Sequence, residues 1–249
     1  MIRLSIITVN YNSGSDFIGT LNSLKDFLGN ENVEYVVIDG GSCDKSWDDI
    51  CDRKDNIDVL VHESDKGIYD AMNKGISLSK GKWIWFVNSG DNVCSECERV
   101  MGLLANTAGE SNLLFSDLKL SDGRVINQSF STTYLLKSML NHQNLIYNRV
   151  LLMAGYDISF KYCADFAHLL KNYKYIRAKK ITGHLCTYDL NGISGAADSL
   201  TRVEIWKERK KALTYSSLPF FFKFIYKITF TILIFIKRVL PSFLSISKG

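Results

Sequence analysis

Residues 63–91 read ESDKGIYDAMNKGISLSKGKWIWFVNSGD, and this stretch decides what kind of sheet the chain can build. A charged loop (Glu63, Asp65, Lys66, Gly67) precedes Ile68, Ala71, Met72, Gly75, Ile76 and Leu78, whose spacing predicts a helix over about 68–79. One face of that helix is small and apolar enough to lie on a sheet. The run KWIWFVN then predicts a buried strand that ends in a turn carrying Asp91. In an open α/β sheet, ligands sit outside the carboxyl ends of the strands, where loops hold polar groups over a rigid support. Asp91 is therefore a site candidate by position. Asp70, Asn73 and Lys74 would face the same rim, although an acid at a helix start is also simply favourable to the helix dipole.

Working outward, RLSIITV at 3–9 is a β-branched run closed by Asn10, Tyr11 and Asn12, the pattern of a central parallel strand. Ser13 or Ser15 can cap a following helix with Phe17, Leu21, Leu24 and Leu28 at helical spacing, stopped by Gly29 and Asn30. VEYVVID then predicts a strand ending at Asp39, followed by GGSCDKS, in which glycines permit close backbone approach and Ser42 and Asp44 offer polar groups and a cap. IDVLVHE is the next strand. Strands alternating with helices argue for a doubly wound, mostly parallel sheet. The acids Asp39, Asp65 and Asp91, each after a strand, would then share one edge as a site.

Carboxylates gathered where a phosphate must sit would repel it, unless a hard cation such as Mg²⁺ or Mn²⁺ bridges the two. A carboxylate on an earlier strand can instead bind ribose or a base edge. Neither GxxxxGK[ST] nor GxGxxG occurs at the first strand. That disfavours ATPases, kinases and NAD enzymes and leaves a nucleotide-diphosphate open.

The charge is divided along the chain. Residues 202–249 carry ten basic and two acidic side chains, a net +8, against −4 for residues 1–201. The body is mildly acidic and the tail attracts anions. The six cysteines include one CxxC, Cys94 to Cys97, which without a second pair is weak support for zinc. The N-terminus lacks the apolar core of a signal peptide, so the body is expected in the cytosol.

The series LSIITVNYNS, VVIDGGSCDKS and ESDKGIYDAMNKGISLSKGKWIWFVNSGD resembles the family-2 glycosyltransferases of the GT-A fold, particularly those of bacterial O-antigen and other surface-polysaccharide biosynthesis. The resemblance is strong over 2–92, patchy to about 195 and absent in the tail. It implies that Thr8 and Tyr11 line the base pocket, that Asp39 holds uracil or ribose, and that Asp65, Lys66 and Asn88 lie near base and phosphates. It also implies that Asp91 holds the metal. The usual DxD motif reads Asn88-Ser89-Gly90 here, with Asp91 next. Either Asp91 carries the metal with Asn88 as a neutral ligand, or metal binding is weak.

Farther on, SNLLFSDLKL and GRVINQSF predict a strand pair around Ser121-Asp122-Gly123. His142-Gln143 is a dipeptide that the resembling enzymes carry near the acceptor, or else a plain turn histidine. Asp165 opens a predicted helix with Phe166, Leu169, Leu170 and Tyr173. The resemblance makes it the general base, which an inverting transfer requires opposite the leaving diphosphate; otherwise it is a helix-start charge. Gly192, Ser194 and Gly195 resemble a loop closing over the donor. From Leu218 to Leu244 the chain is apolar apart from small hydroxyls and Lys223, Lys227, Lys237 and Arg238. Those four share one stripe of a helical wheel, the pattern of an interfacial membrane helix; a packing or oligomer helix is the other reading.

The sequence is thus read as an α/β GT-A protein, Rossmann-like with a mostly parallel sheet flanked by helices and with an amphipathic membrane-associated tail. Residues 1–92 form the nucleotide-sugar half of one domain, 93–201 the acceptor half, and 202–249 the basic tail. The expected reaction is an inverting transfer, and of a single sugar, since the QxxRW of processive synthases is absent. The expected partners are a nucleotide-diphosphate sugar (UDP favoured), Mg²⁺ or Mn²⁺, a lipid-linked saccharide and an anionic membrane surface, with no nucleic acid. The expected location is cytoplasmic, peripheral on the inner face of the membrane. A polyprenyl-phosphate acceptor and a silent nucleotide-sugar-binding scaffold remain as alternatives.

Overall fold

The computed structural model describes residues 2–107, 109–188 and 199–239. Strand β1 (Leu4–Asn10) is buried along its whole length and is followed by α1 (Asp16–Ser23), β2 (Val33–Asp39), α2 (Lys45–Cys51), β3 (Val59–His62), α3 (Ile68–Leu78) and β4 (Trp83–Phe86). Next come β5 (Asn92–Val93), α4 (Cys97–Ala105), β6 (Leu113–Phe115), β7 (Leu118–Leu120), β8 (Val125–Ile126), α5 (Thr132–Lys137), β9 (Leu145–Asn148) and α6 (Arg149–Leu152). The chain continues through α7 (Ala164–Asn172), β10 (Ala178–Lys180), β11 (Cys186–Tyr188), α8 (Ser199–Ala212) and α9 (Phe220–Val239).

Among the described residues the main sheet runs β10-β6-β9-β4-β1-β2-β3. Only β9 is antiparallel to its neighbours. Alternation along each strand divides the apolar side chains between two cores. Ile7, Val36, Ile38, Ile84 and Phe86 pack on one face with α3 and α7, while Leu4, Ile6, Tyr35, Val37, Trp83 and Trp85 pack on the other with α1 and α4. Gly75 sets how closely α3 lies on the sheet, since a Cβ there would come within 2.6 Å of the Ile7 side chain.

Three expectations are corrected. Helix α1 ends at Ser23, and Leu24 and Phe27 are buried from the turns that follow. Neither serine caps α1: Ser15 makes no capping bond, and the Ser13 hydroxyl donates to Asn10 Oδ1 at 2.5 Å. The stretch SNLLFSDLKL is not one strand. It divides at Ser116-Asp117, β6 joining the main sheet and β7 pairing with β8 in a smaller sheet ordered β5-β11-β7-β8. The division is held by Ser116 Oγ on Asn144 Oδ1 at 2.8 Å and by the Asp117–Lys180 ion pair at 2.6 Å. The expected donor-closing residues Gly192, Ser194 and Gly195 lie outside the described residues, as do the side chains of Lys237 and Arg238.

Candidate active site

The carboxyl ends of β4, β1, β2 and β3 lie side by side, and Asn10, at the end of β1, stands between two acids. Its Nδ2 donates to Asp39 Oδ1 at 2.6 Å, and its Oδ1 accepts from Ser89 Oγ at 2.7 Å. Asp39 is entirely enclosed. Oδ1 also accepts from Ser42 Oγ (2.6 Å), and Oδ2 takes Gly41 N (3.1 Å), Ser42 N (2.8 Å) and His62 Nδ1 (2.6 Å). Burial works against its ionised form, yet the hydrogen bonds from Ser42, Asn10 and His62 outweigh it and hold the carboxyl below the usual value. A carboxylate has about four lone-pair sites, and five protein donors fill them. Asp39, expected at uracil or ribose, thus braces the Gly40–Ser42 loop through these bonds. Thr8, expected to line the base pocket, lies inside the sheet. It has no exposed surface, donates to the Val87 carbonyl at 2.6 Å and accepts from Tyr35 Oη at 3.1 Å.

What the loops leave open is a small cradle. The Tyr11 ring is 65% exposed, Asp65 Oδ2 lies so close over Gly40 that a Cβ there would come within 2.4 Å, and Tyr11 touches the same spot at 3.3 Å. Asp65 Oδ1 fixes its own turn by accepting from Gly67 N at 2.7 Å, and the exposed Lys66 follows it. An aromatic face, a carboxylate oxygen and a lysine suit a base, a ribose and a phosphate respectively.

The turn after β4 is built differently. Asp91 Oδ2 accepts from Asn88 N at 2.9 Å and Oδ1 from Gln143 Nε2 at 2.8 Å. With only these two donors against the loss of water around it, the carboxyl is pushed up to about 7. Asn88 Nδ2 and His142 Nε2 are 3.2 Å apart. Burial lowers the imidazole, opposed by the charge of Asp165, so His142 is neutral near pH 7. Two buried oxygens, Asn88 Oδ1 and Gln143 Oε1, have no hydrogen-bond partner. Orphaned amide oxygens beside an under-solvated carboxylate are the hard donors that Mg²⁺ and Mn²⁺ take. Among the described residues no group of three His, Cys, Asp or Glu gathers to hold a metal; the donor set that would fit one is Asp91 with the two amide oxygens. Gln143, expected on the acceptor side, thus lies against Asp91.

Asp165 stands in the first turn of α7, half-buried. Tyr69 Oη lies 3.0 Å from both Asp165 Oδ1 and the Tyr162 carbonyl. Burial, with Asp165 adding to it, drives the Tyr69 hydroxyl far above its usual range, so it stays a donor. The loop before α7 is held from α8: the Glu208 carboxylate accepts from Lys161 N (2.7 Å), Tyr162 N (2.8 Å) and Cys163 N (2.9 Å). Neither Tyr69 nor Glu208 stands out in the sequence. Tyr69 has a faint signal as the one aromatic on the sheet-facing side of α3; Glu208 has none.

Residues 5–107 match the family model described as glycosyl transferase family 2. A PGL/p-HBAD biosynthesis glycosyltransferase of Mycobacterium bovis is 25% identical over 187 residues, 70% of this chain and 71% of that protein. Among solved structures, S. aureus TarS 1-349 in complex with UDP-GlcNAc superposes with a TM-score of 0.70 at 20% identity, over 92% of this chain and 72% of that one. The mannosyltransferase PcManGT from Pyrobaculum calidifontis, in complex with GDP-Man and Mn²⁺, gives 0.67 at 13%, over 96% and 72%. The fold is thus of GT-A type, and residues 5–107 carry the match to glycosyl transferase family 2.

Proposed function

We propose that this glycosyltransferase moves one sugar, with inversion, from a UDP-sugar to a saccharide hydroxyl on a lipid-linked acceptor in surface-polysaccharide or glycolipid assembly, at the cytoplasmic face of the membrane. The observation that carries the reading is the placing of Asp165. Its carboxylate, held by the Tyr69 hydroxyl at 3.0 Å, is close enough to raise His142, which itself lies 3.2 Å from Asn88 in the turn of Asp91. His142 thus lies between the Asp165 carboxylate and the turn of Asp91.

Tyr11 stacks on the base, Asp65 accepts from base or ribose, and Lys66 meets phosphate. Asn88, Asp91 and Gln143 would hold Mg²⁺ or Mn²⁺, which when bound neutralises diphosphate charge. Asp165 takes the proton of the acceptor hydroxyl as its oxygen bonds to the anomeric carbon from the face opposite the leaving group. The bond from that carbon to the diphosphate oxygen breaks, and UDP leaves with the bonding electrons. Neutral His142 beside this site can orient the acceptor without adding charge. TarS with UDP-GlcNAc and PcManGT with Mn²⁺ support the donor and metal by likeness of fold.

The test is Asp165→Asn. Turnover with the matching UDP-sugar is expected to fall about a thousandfold, the range of a lost general base, with calorimetric UDP affinity unchanged. Equal loss of UDP affinity would move Asp165 to the donor site, and an inactive wild type across a panel of donors and acceptors would favour the scaffold.

A further inference from the structure

We propose that α9 is a two-faced helix that clamps to the protein by one side and lies on an anionic lipid surface by the other. The clamped side is aromatic. Tyr226 and Phe230 are buried, and Tyr226 Oη donates to the Thr132 carbonyl at 3.1 Å. The guanidinium of Arg209, itself buried in α8, is sandwiched 4.7 Å from the Phe230 ring and 5.0 Å from that of Phe166 in α7. A helix merely trailing from the body would have no such seat.

The other side has no partner among the described residues. Phe220, Phe221, Phe224, Ile228, Ile232 and Phe235 are 44–82% exposed. At about 100° per residue they fill one sector of about 120°, roughly opposite Tyr226 and Phe230. Large apolar side chains in one continuous stripe mark an interaction surface.

Charge selects the occupant. After Glu208 the chain has eight basic residues and no acidic one. On the wheel Lys223 and Lys227 sit at the seam between the buried side and the exposed stripe, where the ammonium groups of a helix lying in a lipid surface would meet headgroups. On this helix the apolar stripe leads and the two lysines edge it. A second copy of the chain seated on the stripe would bring like charges together with no acid in α9 to pair them. Among the described residues no helix is long and apolar enough to cross a membrane, which suits an in-plane helix. The inference rests on α9 alone and stands or falls apart from the sugar-transfer reading.

The experiment is flotation of the full-length protein with vesicles of phosphatidylcholine, alone or mixed with phosphatidylglycerol. The wild type is expected to float with the mixed vesicles at low salt. The pair Phe224→Ser/Ile228→Ser, both exposed, should weaken this at least about tenfold with the thermal midpoint unchanged, and Lys223→Gln/Lys227→Gln should remove the preference for anionic lipid. In a Phe224→Trp variant, brominated lipid should quench added fluorescence that a Phe220→Trp control on the same stripe reproduces. A wild type that stays unbound beside mixed vesicles at low salt overturns the proposal. So does a dimer in vesicle-free buffer that the serine pair dissolves, since the stripe would then belong to a second copy.

Discussion

The last residue of β2 and the turn after β4 each present one aspartate at the same sheet edge, and the two are opposites. Asp39 has five protein donors and its carboxyl is held below the usual range; Asp91 has two, and its carboxyl is pushed up to about 7. Asn10 touches both regions, so position in the fold does not separate them. The number of donors does. A saturated carboxylate is a brace, and an under-satisfied one beside orphaned oxygens has capacity left for a cation.

The largest effect that could break this contrast is on stability. Asp39→Ala should lower unfolding free energy by roughly 3 kcal/mol, because it strands buried donors on Asn10, Ser42 and Gly41 at once. Urea unfolding of wild type and variant measures it. A change below about 1 kcal/mol would mean that water replaces the carboxylate and that Asp39 is free to act elsewhere. Asp91→Ala should do the reverse. Stability near neutral pH should hold or rise, because the poorly solvated carboxylate is gone, while metal-dependent turnover falls about 100-fold, roughly 2.7 kcal/mol. Wild-type turnover with unchanged Mn²⁺ dependence would remove Asp91 from the cation site.

Sequence reading succeeded where a single local period carried the information. The runs that became β1 to β4 alternate with helices within about ninety residues, and the helix predicted at 68–79 is α3 at Ile68–Leu78. The acids at the strand ends were visible as residues, but their roles were not. A sequence shows that Asp39 follows a strand; it does not show how many amides the next loop turns inward. Thr8 is a related case, since strand alternation aims it at Tyr35 inside the sheet. Glu208 was read only as one of two acids in a basic tail, because a carboxylate capturing backbone amides more than forty residues away leaves no pattern.

Glu208 extends the comparison to a third carboxylate, one saturated by backbone donors as Asp39 is. It should therefore act by holding: Glu208→Gln should lower kcat about tenfold, roughly 1.4 kcal/mol, through a looser Asp165 loop, with the donor KM unchanged. A shift in donor KM alone would place its influence in the nucleotide site instead.

The last contrast is in pH, where the two aspartates should slope in opposite directions. The Asp39 carboxyl is depressed below its ordinary 3.8. Its contribution is therefore complete above that pH and is lost as pH falls through the lower, folded value. The Asp91 carboxyl is raised to about 7, so the folded state holds a proton that the unfolded chain releases near pH 4. Stability from that group is present below pH 4 and is lost as pH rises toward 7. Each proton changes stability by at most about 1.4 kcal/mol per pH unit, and partial exposure of the Asp91 residue reduces its share. Urea midpoints between pH 2.5 and 8, with chelator and without nucleotide, should isolate each slope as wild type minus variant. Subtracting Asp39→Asn should leave a difference confined to the acid end, and subtracting Asp91→Asn one confined to pH 4–7 with the opposite sign. If both differences fell at the acid end, Asp91 would be as well satisfied as Asp39, and the donor count would no longer distinguish brace from ligand.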